Sequence, residues 1–71
     1  MIVEVSQNAA KPTHNNPYNF RVGFRCELHE AEAVIDWMDD NKLTGSRWHT
    51  RNGLVLYTVE TEAIMCALRW A

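Results

Sequence analysis

Ser46-Arg47-Trp48-His49-Thr50-Arg51-Asn52-Gly53-Leu54-Val55-Leu56-Tyr57-Thr58-Val59 is the stretch on which the fold turns. Asn-Gly between two β-prone runs is the strongest short-range hairpin signal, because a type I′ turn needs positive φ at both central residues. A two-residue turn at Asn52-Gly53 sets Arg51 opposite Leu54, His49 opposite Leu56 and Trp48 opposite Tyr57. Trp48, Thr50, Val55, Tyr57 and Val59 then share one face, which the aromatics mark as the core face. Arg47, His49, Arg51, Leu54, Leu56 and Thr58 share the other.

Upstream, Tyr18 to Leu28 alternates throughout: Tyr18, Phe20, Val22, Phe24, Cys26 and Leu28 point one way, with Asn19, Arg21, Gly23, Arg25 and Glu27 opposite. One face of this strand lies on a core and the other is at least partly wet. From His29 to Leu43 the period changes, with Ala31, Val34, Ile35 and Met38 at helical spacing and Trp37 at the margin. Gly45 offers a left-handed stop for this helix. Ile2 to Val5 reads as a brief edge strand, and the polar Ser6 to Pro17 as a loop. Downstream, Thr61 is a natural N-cap for a last helix reaching Ala71, with Ile64, Ala67, Leu68 and Ala71 as its core stripe.

The order β-β-α-β-β-α in one domain, residues 1–71, predicts an α+β ferredoxin-like sandwich. A four-stranded antiparallel or mixed sheet would carry two helices on one face. The expected strand order is N-terminal strand, Tyr18 strand, Leu54 strand, Ser46 strand, with the Tyr18 and Leu54 strands parallel. The N-terminal strand would take the place of the final strand of the usual βαββαβ pattern, a circular permutation.

Composition narrows the function. With 46% hydrophobic and 23% charged residues, the 71-residue chain falls in the globular range. A domain this small removes only about 60% of its unfolded surface from water, and commonly needs a disulfide, a metal or a partner chain. Two cysteines, Cys26 and Cys66, both at buried-looking positions, read as free thiols of a reducing compartment. His14, His29, His49 and the cysteines form no paired ligand spacing, so no metal and no cofactor is expected. Self-association, most simply a homodimer, is the remaining device. No apolar stretch approaches the length of a membrane span, and the opening Met1 to Val5 is too short and acidic for a signal sequence. The expected location is cytoplasmic.

No catalytic residue is expected. Cys26 and His29 are the one thiol and imidazole close in sequence, but a cysteine in the inward set of a strand is ordinarily core. Gly-rich phosphate loops and nucleophile elbows are absent from the sequence. Charge points elsewhere, because Arg21 and Arg25 would join Arg47, His49 and Arg51 on the outer sheet face, with Leu54 and Leu56 among them. Exposed leucines rimmed by arginines favour a dimer or protein contact over nucleic acid, whose sheet-type binders present aromatics for base stacking. Met65 and Trp70 on the last helix are the alternative oligomer interface. The reading is a non-enzymatic, self-associating protein-interaction module. A nucleic-acid-binding protein using the arginines, or an enzyme subunit with a shared active site, are the alternatives.

Glu62-Ala63-Ile64-Met65-Cys66-Ala67-Leu68-Arg69-Trp70-Ala71 resembles the ends of small uncharacterised proteins of tailed bacteriophages, which close on an Ala-Leu-Arg-Trp type helix. The resemblance implies a phage accessory protein, acting in the host cytoplasm on a host protein, and carries no functional residues with it.

Overall fold

A computed structural model describes residues 1–7 and 17–71. The elements are β1 (Ile2–Gln7), β2 (Phe20–Arg25), α1 (Leu28–Asp40), β3 (Ser46–Thr50), β4 (Gly53–Thr58) and α2 (Glu60–Trp70). The four strands form one antiparallel sheet in the order β1-β2-β4-β3, which is the order expected. The Tyr18 to Leu28 run is strand only from Phe20 to Arg25, and Leu28 instead opens α1 with its side chain exposed. The expected loop from Ser6 begins later, since Ser6 and Gln7 pair with Arg21 and Phe20. Most of that segment lies outside the described residues.

One expectation about direction is corrected. β2 and β4 run antiparallel, not parallel. The chain returns through α1 to lay β3 parallel to β2, and β4 folds back into the gap between them, so both of its neighbours run against it.

Register assigns the faces. Phe20, Val22 and Phe24 stand opposite Thr58, Leu56 and Leu54, and directly opposed residues share a face. Val22, Phe24, Leu54 and Leu56 form one buried cluster with Ala31, Val34 and Met38 of α1 and Ala63 and Cys66 of α2. Ile35, Trp37, Leu43 and Trp70 pack against it. Trp37 and Trp70 meet edge to face, centroids 6.0 Å apart, the arrangement ring quadrupoles favour.

The hairpin turns one residue earlier than expected. Thr50 pairs with Gly53, so Arg51 and Asn52 make the turn and neither has positive φ. Gly53 starts β4 at φ 154°, where a β-carbon would stand 1.9 Å from the Phe24 carbonyl oxygen. The glycine is required by the crowding of β2 against β4 rather than by a type I′ turn.

The helix ends also differ from expectation. Glu27 and Glu30 form a reciprocal capping box at the start of α1, with the Glu27 amide donating to Glu30 Oε1 at 3.1 Å. The helix stops in a Schellman motif: Lys42, not Gly45, takes the left-handed conformation, at φ 56°. The Leu43 amide donates to the Met38 carbonyl, and the Lys42 amide to that of Asp39. Gly45 serves a close approach, since a β-carbon there would lie 2.6 Å from the Tyr57 carbonyl oxygen. Val59, rather than Thr61, is the N-cap of α2. Its buried stripe is Ala63 and Cys66, with Ile64 and Leu68 exposed. Small residues on the inner stripe let α2 approach the sheet, and the larger ones are turned out.

Candidate functional site: the outer sheet face

Three rows of side chains make up the face away from the core. Register places Ser6, Arg21, Tyr57 and Ser46 in the first row, then Glu4, Gly23, Val55 and Trp48, then Ile2, Arg25, Gly53 and Thr50. Trp48 is 62% exposed, while Val55 beside it is nearly covered. Gly23 and Val55 floor a pocket of about 310 Å³ whose walls include Glu4, Arg21, Arg25, Thr50 and Asn52. With no side chain on Gly23, the Arg21 guanidinium folds inward, its Nη1 3.0 Å from where a β-carbon would stand. A glycine inside a strand weakens it unless something must come close to the backbone, and here a guanidinium does.

The expected outer surface is divided by the fold. Arg21 and Arg25 lie on it. Leu54 and Leu56 do not: both are buried in the core, at 1% and 0% exposure. Arg47 and His49 stand opposite Leu56 and Leu54 and so share the core side, at the sheet's edge. Arg47 is tied to α1 through a 2.7 Å ion pair with Asp39. Arg51 sits exposed in the hairpin turn. The face that Trp48, Thr50, Val55 and Tyr57 share is therefore the outer one. Their grouping follows from register, but the choice of side follows from β2, whose Val22 and Phe24 pair with the leucines. Trp48 lies on an edge strand whose five residues are all exposed. Size alone does not bury an aromatic that no layer covers.

Electrostatics sharpen this face. Among nine acidic residues, Glu4 alone lies on it; Glu27 caps α1, five belong to α1 and two to α2. Neither Arg21 nor Arg25 forms an ion pair among the described residues. The formal charge of −2 thus conceals a molecule whose negative charge is gathered on its helices.

The remaining reactive groups are placed structurally. Burial raises the Cys26 thiol above its ordinary value, with Glu30 adding to the effect, and its Sγ lies 3.9 Å from the Phe24 carbonyl oxygen. His29 faces Glu27 at 3.5 Å rather than Cys26. Burial, aided by Glu62, pushes the Cys66 thiol up to about 11. A thiolate is the nucleophilic form, so both shifts disfavour covalent chemistry. No group of three or more His, Cys, Asp or Glu residues suited to a metal ion occurs among the described residues. Among them too, no helix is long and apolar enough to cross a membrane. On the alternative interface, Trp70 is half-buried against Trp37 and under Arg69, whose guanidinium lies 4.1 Å from its ring centroid, and Met65 is exposed.

Glu62 lies in the first turn of α2, where a carboxylate suits the helix dipole, and it does more. It accepts hydrogen bonds from the Thr44 amide and hydroxyl, the Gly45 amide and the buried Thr58 hydroxyl, joining α2 to β4 and to the segment before β3. Only its i, i+4 spacing from Thr58 was visible in sequence.

Comparison with protein-family models, curated proteins and solved structures returns no match.

Proposed function

We propose that this chain is a non-enzymatic binding module whose working surface is the outer sheet face, and that its ligand is single-stranded nucleic acid. The fold under this reading is a ferredoxin-like sandwich, circularly permuted, with β1 in the place of the last strand and both helices on one face. The shared burial of α1 and α2 residues with Val22, Phe24, Leu54 and Leu56 supports that arrangement.

One observation carries the functional reading: exposed Trp48 and half-buried Tyr57 lie on the same face as Arg21 and Arg25, which have no ion-pair partner among the described residues. Flat rings for stacking beside cations for phosphate make up the usual platform for single strands. The exposed leucines that favoured a protein contact on this face are core residues, and the missing aromatics are present. An acidic protein segment could satisfy Arg21 and Arg25 but offers nothing that Trp48 needs. In the setting implied by the C-terminal resemblance, the module is a phage accessory protein.

Fluorescence anisotropy of labelled single-stranded DNA and RNA 12-mers, titrated between 20 and 200 mM salt, tests the reading, with polyglutamate as the comparison polyanion. Two phosphate contacts give a log–log salt slope of about −1.4, since each contributes about −0.7 on single strands. Trp48→Ala weakens binding roughly 5- to 150-fold, the equivalent of one lost base stack at about 1–3 kcal/mol. Arg25→Gln lowers the slope by about 0.7. Absence of binding at 20 mM salt refutes the proposal. Equal affinity for polyglutamate, indifferent to Trp48→Ala, transfers the face to acidic protein partners.

A further inference from the structure

We infer that two copies of this chain pair through β1, antiparallel and with the two-fold axis at Val5, and that α2 of each copy closes over the seam. Among the described residues nothing pairs with the outer edge of β1, which leaves a row of backbone donors and acceptors open. Edge strands are ordinarily protected by proline, lysine, a bulge or a cover. Ile2–Gln7 contains no proline and no basic residue, pairs without a bulge along its whole length, and carries Glu4 as its one charge. At the opposite edge, β3 carries Arg47 and His49. An open strand edge calls for a strand, and apolar residues flank this one.

Val5 pairs with Val22 and so faces the core side, yet remains 44% exposed. On α2, Ile64 and Leu68 are 51% and 83% exposed. Helical residues advance by about 100° each, which puts these two about 200° and 240° around from Glu62. Glu62 is bonded to Thr44 and Gly45, at the α1–β3 connection, and the buried Ala63 and Cys66 lie about 100° and 40° round from it, so Ile64 turns toward the flank away from Glu62 while Leu68 lies on the back of the helix. α2 packs on β1 and β2, which makes that flank the one beside the open edge.

Symmetry then selects the register. Directly opposed residues share a face, so a two-fold in an antiparallel pair passes through a residue, not between two. Centring on Glu4 sets two carboxylates against each other, which is destabilising. Centring on Val3 places the axis at a residue already half-buried against the core. Centring on Val5 opposes Val5 to itself, Glu4 to Ser6 and Val3 to Gln7, with no like charges in contact and the more exposed valine buried.

Sedimentation equilibrium from 5 to 500 μM, with cysteine cross-linking under diamide, tests this. Val5→Cys should form a dimer disulfide, because opposed residues lie about 4.5–5.5 Å apart between Cα atoms, inside disulfide range. Glu4→Cys and the unsubstituted chain, with Cys26 and Cys66 as its thiols, should cross-link at least tenfold more slowly. Val5→Lys and Ile64→Glu, both at exposed positions, should each raise the dimer dissociation constant at least tenfold while leaving the far-UV spectrum unchanged. A monomer at every concentration overturns the inference. So does a dimer that survives Val5→Lys, or one in which Glu4→Cys cross-links as fast as Val5→Cys. Oligonucleotide binding by the outer face stands or falls separately, since Arg21, Arg25 and Trp48 lie off this seam.

Discussion

Removing the Glu62 carboxylate should cost this domain a large share of its stability. Glu62→Ala takes away the acceptor for the Thr44 amide, 3.0 Å from both carboxylate oxygens, for the Thr44 hydroxyl at 3.1 Å and for the Gly45 amide at 3.3 Å. It also strands the Thr58 hydroxyl, whose residue is fully buried. The Thr44 groups can turn to water and contribute little. An unpaired buried hydroxyl costs about 1–3 kcal/mol, and the partly shielded charge-assisted bonds add about 1. The expected loss is about 2–4 kcal/mol, against a total of about 4–10 for 71 residues. At about 4–8 °C per kcal/mol for domains of this size, Tm falls by roughly 10–30 °C. Urea unfolding followed by circular dichroism measures it, with Glu32→Ala, at an exposed position on α1, as the control. The sign of the pH dependence follows from the carboxyl itself. Burial acts to raise its pKa, but the bonds from Thr58, Thr44 and Gly45 outweigh it and hold the group below its ordinary 4.5. The contribution is therefore full above about pH 4.5 and is lost as pH falls through the lower folded value. Glu62→Gln should flatten that acid limb. A loss under 0.5 kcal/mol, or an acid limb unchanged by Glu62→Gln, refutes the clamp.

Two other substitutions test the geometry. Lys42→Gly should stabilise the chain by about 0.5–1 kcal/mol, because a left-handed non-glycine costs about 1–2 kcal/mol and glycine's extra unfolded freedom returns part of that; a Tm at or below the parent's contradicts the Schellman assignment. Gly23→Ala should leave Tm unchanged or higher, since its β-carbon meets only the movable end of Arg21, while weakening oligonucleotide binding severalfold by displacing that guanidinium; unfolding, or unchanged affinity, counts against the pocket.

Where one face of an element was apolar, the sequence could be read. β2 alternates cleanly and Phe20, Val22 and Phe24 lie as expected, as do Ala31, Val34 and Met38 on α1. β4 offers Leu54, Val55, Leu56, Tyr57 and Thr58, apolar on both sides, so alternation is silent and only pairing with β2 decides which side is core. Giving that decision to the largest side chains reversed the hairpin. Size is as poor a guide on α2, where Ile64 and Leu68 are the bulky residues yet the sheet accepts Ala63 and Cys66. Asn52-Gly53 marked a hairpin correctly for the wrong reason, as Gly53 answers to the Phe24 carbonyl across the sheet. That contact is long-range and leaves no local trace. The candidate surface was legible as Arg21 and Arg25 alone; Trp48, Tyr57 and the Gly23 pocket needed the register.

The two proposed surfaces constrain each other. A two-fold at Val5 runs perpendicular to the sheet, so the outer faces of both copies look the same way. β2 and its symmetry mate lie three strand spacings apart, about 14 Å, and are rotated by about 60–75° at the usual twist per strand. Between them stand β1 and its mate, which bring two Glu4 carboxylates to the outer face, each opposite Ser6. One strand spacing, about 4.8 Å, separates Glu4 from the β2 column, well inside the screening length of about 10 Å at 0.1 M salt. A polyanion crossing the seam would meet both carboxylates while turning through most of a right angle. Each copy therefore presents its own site, running from Arg21 and Arg25 toward Trp48 and away from the axis, and pairing through β1 fixes the fold's open edge without fusing the two sites into one track.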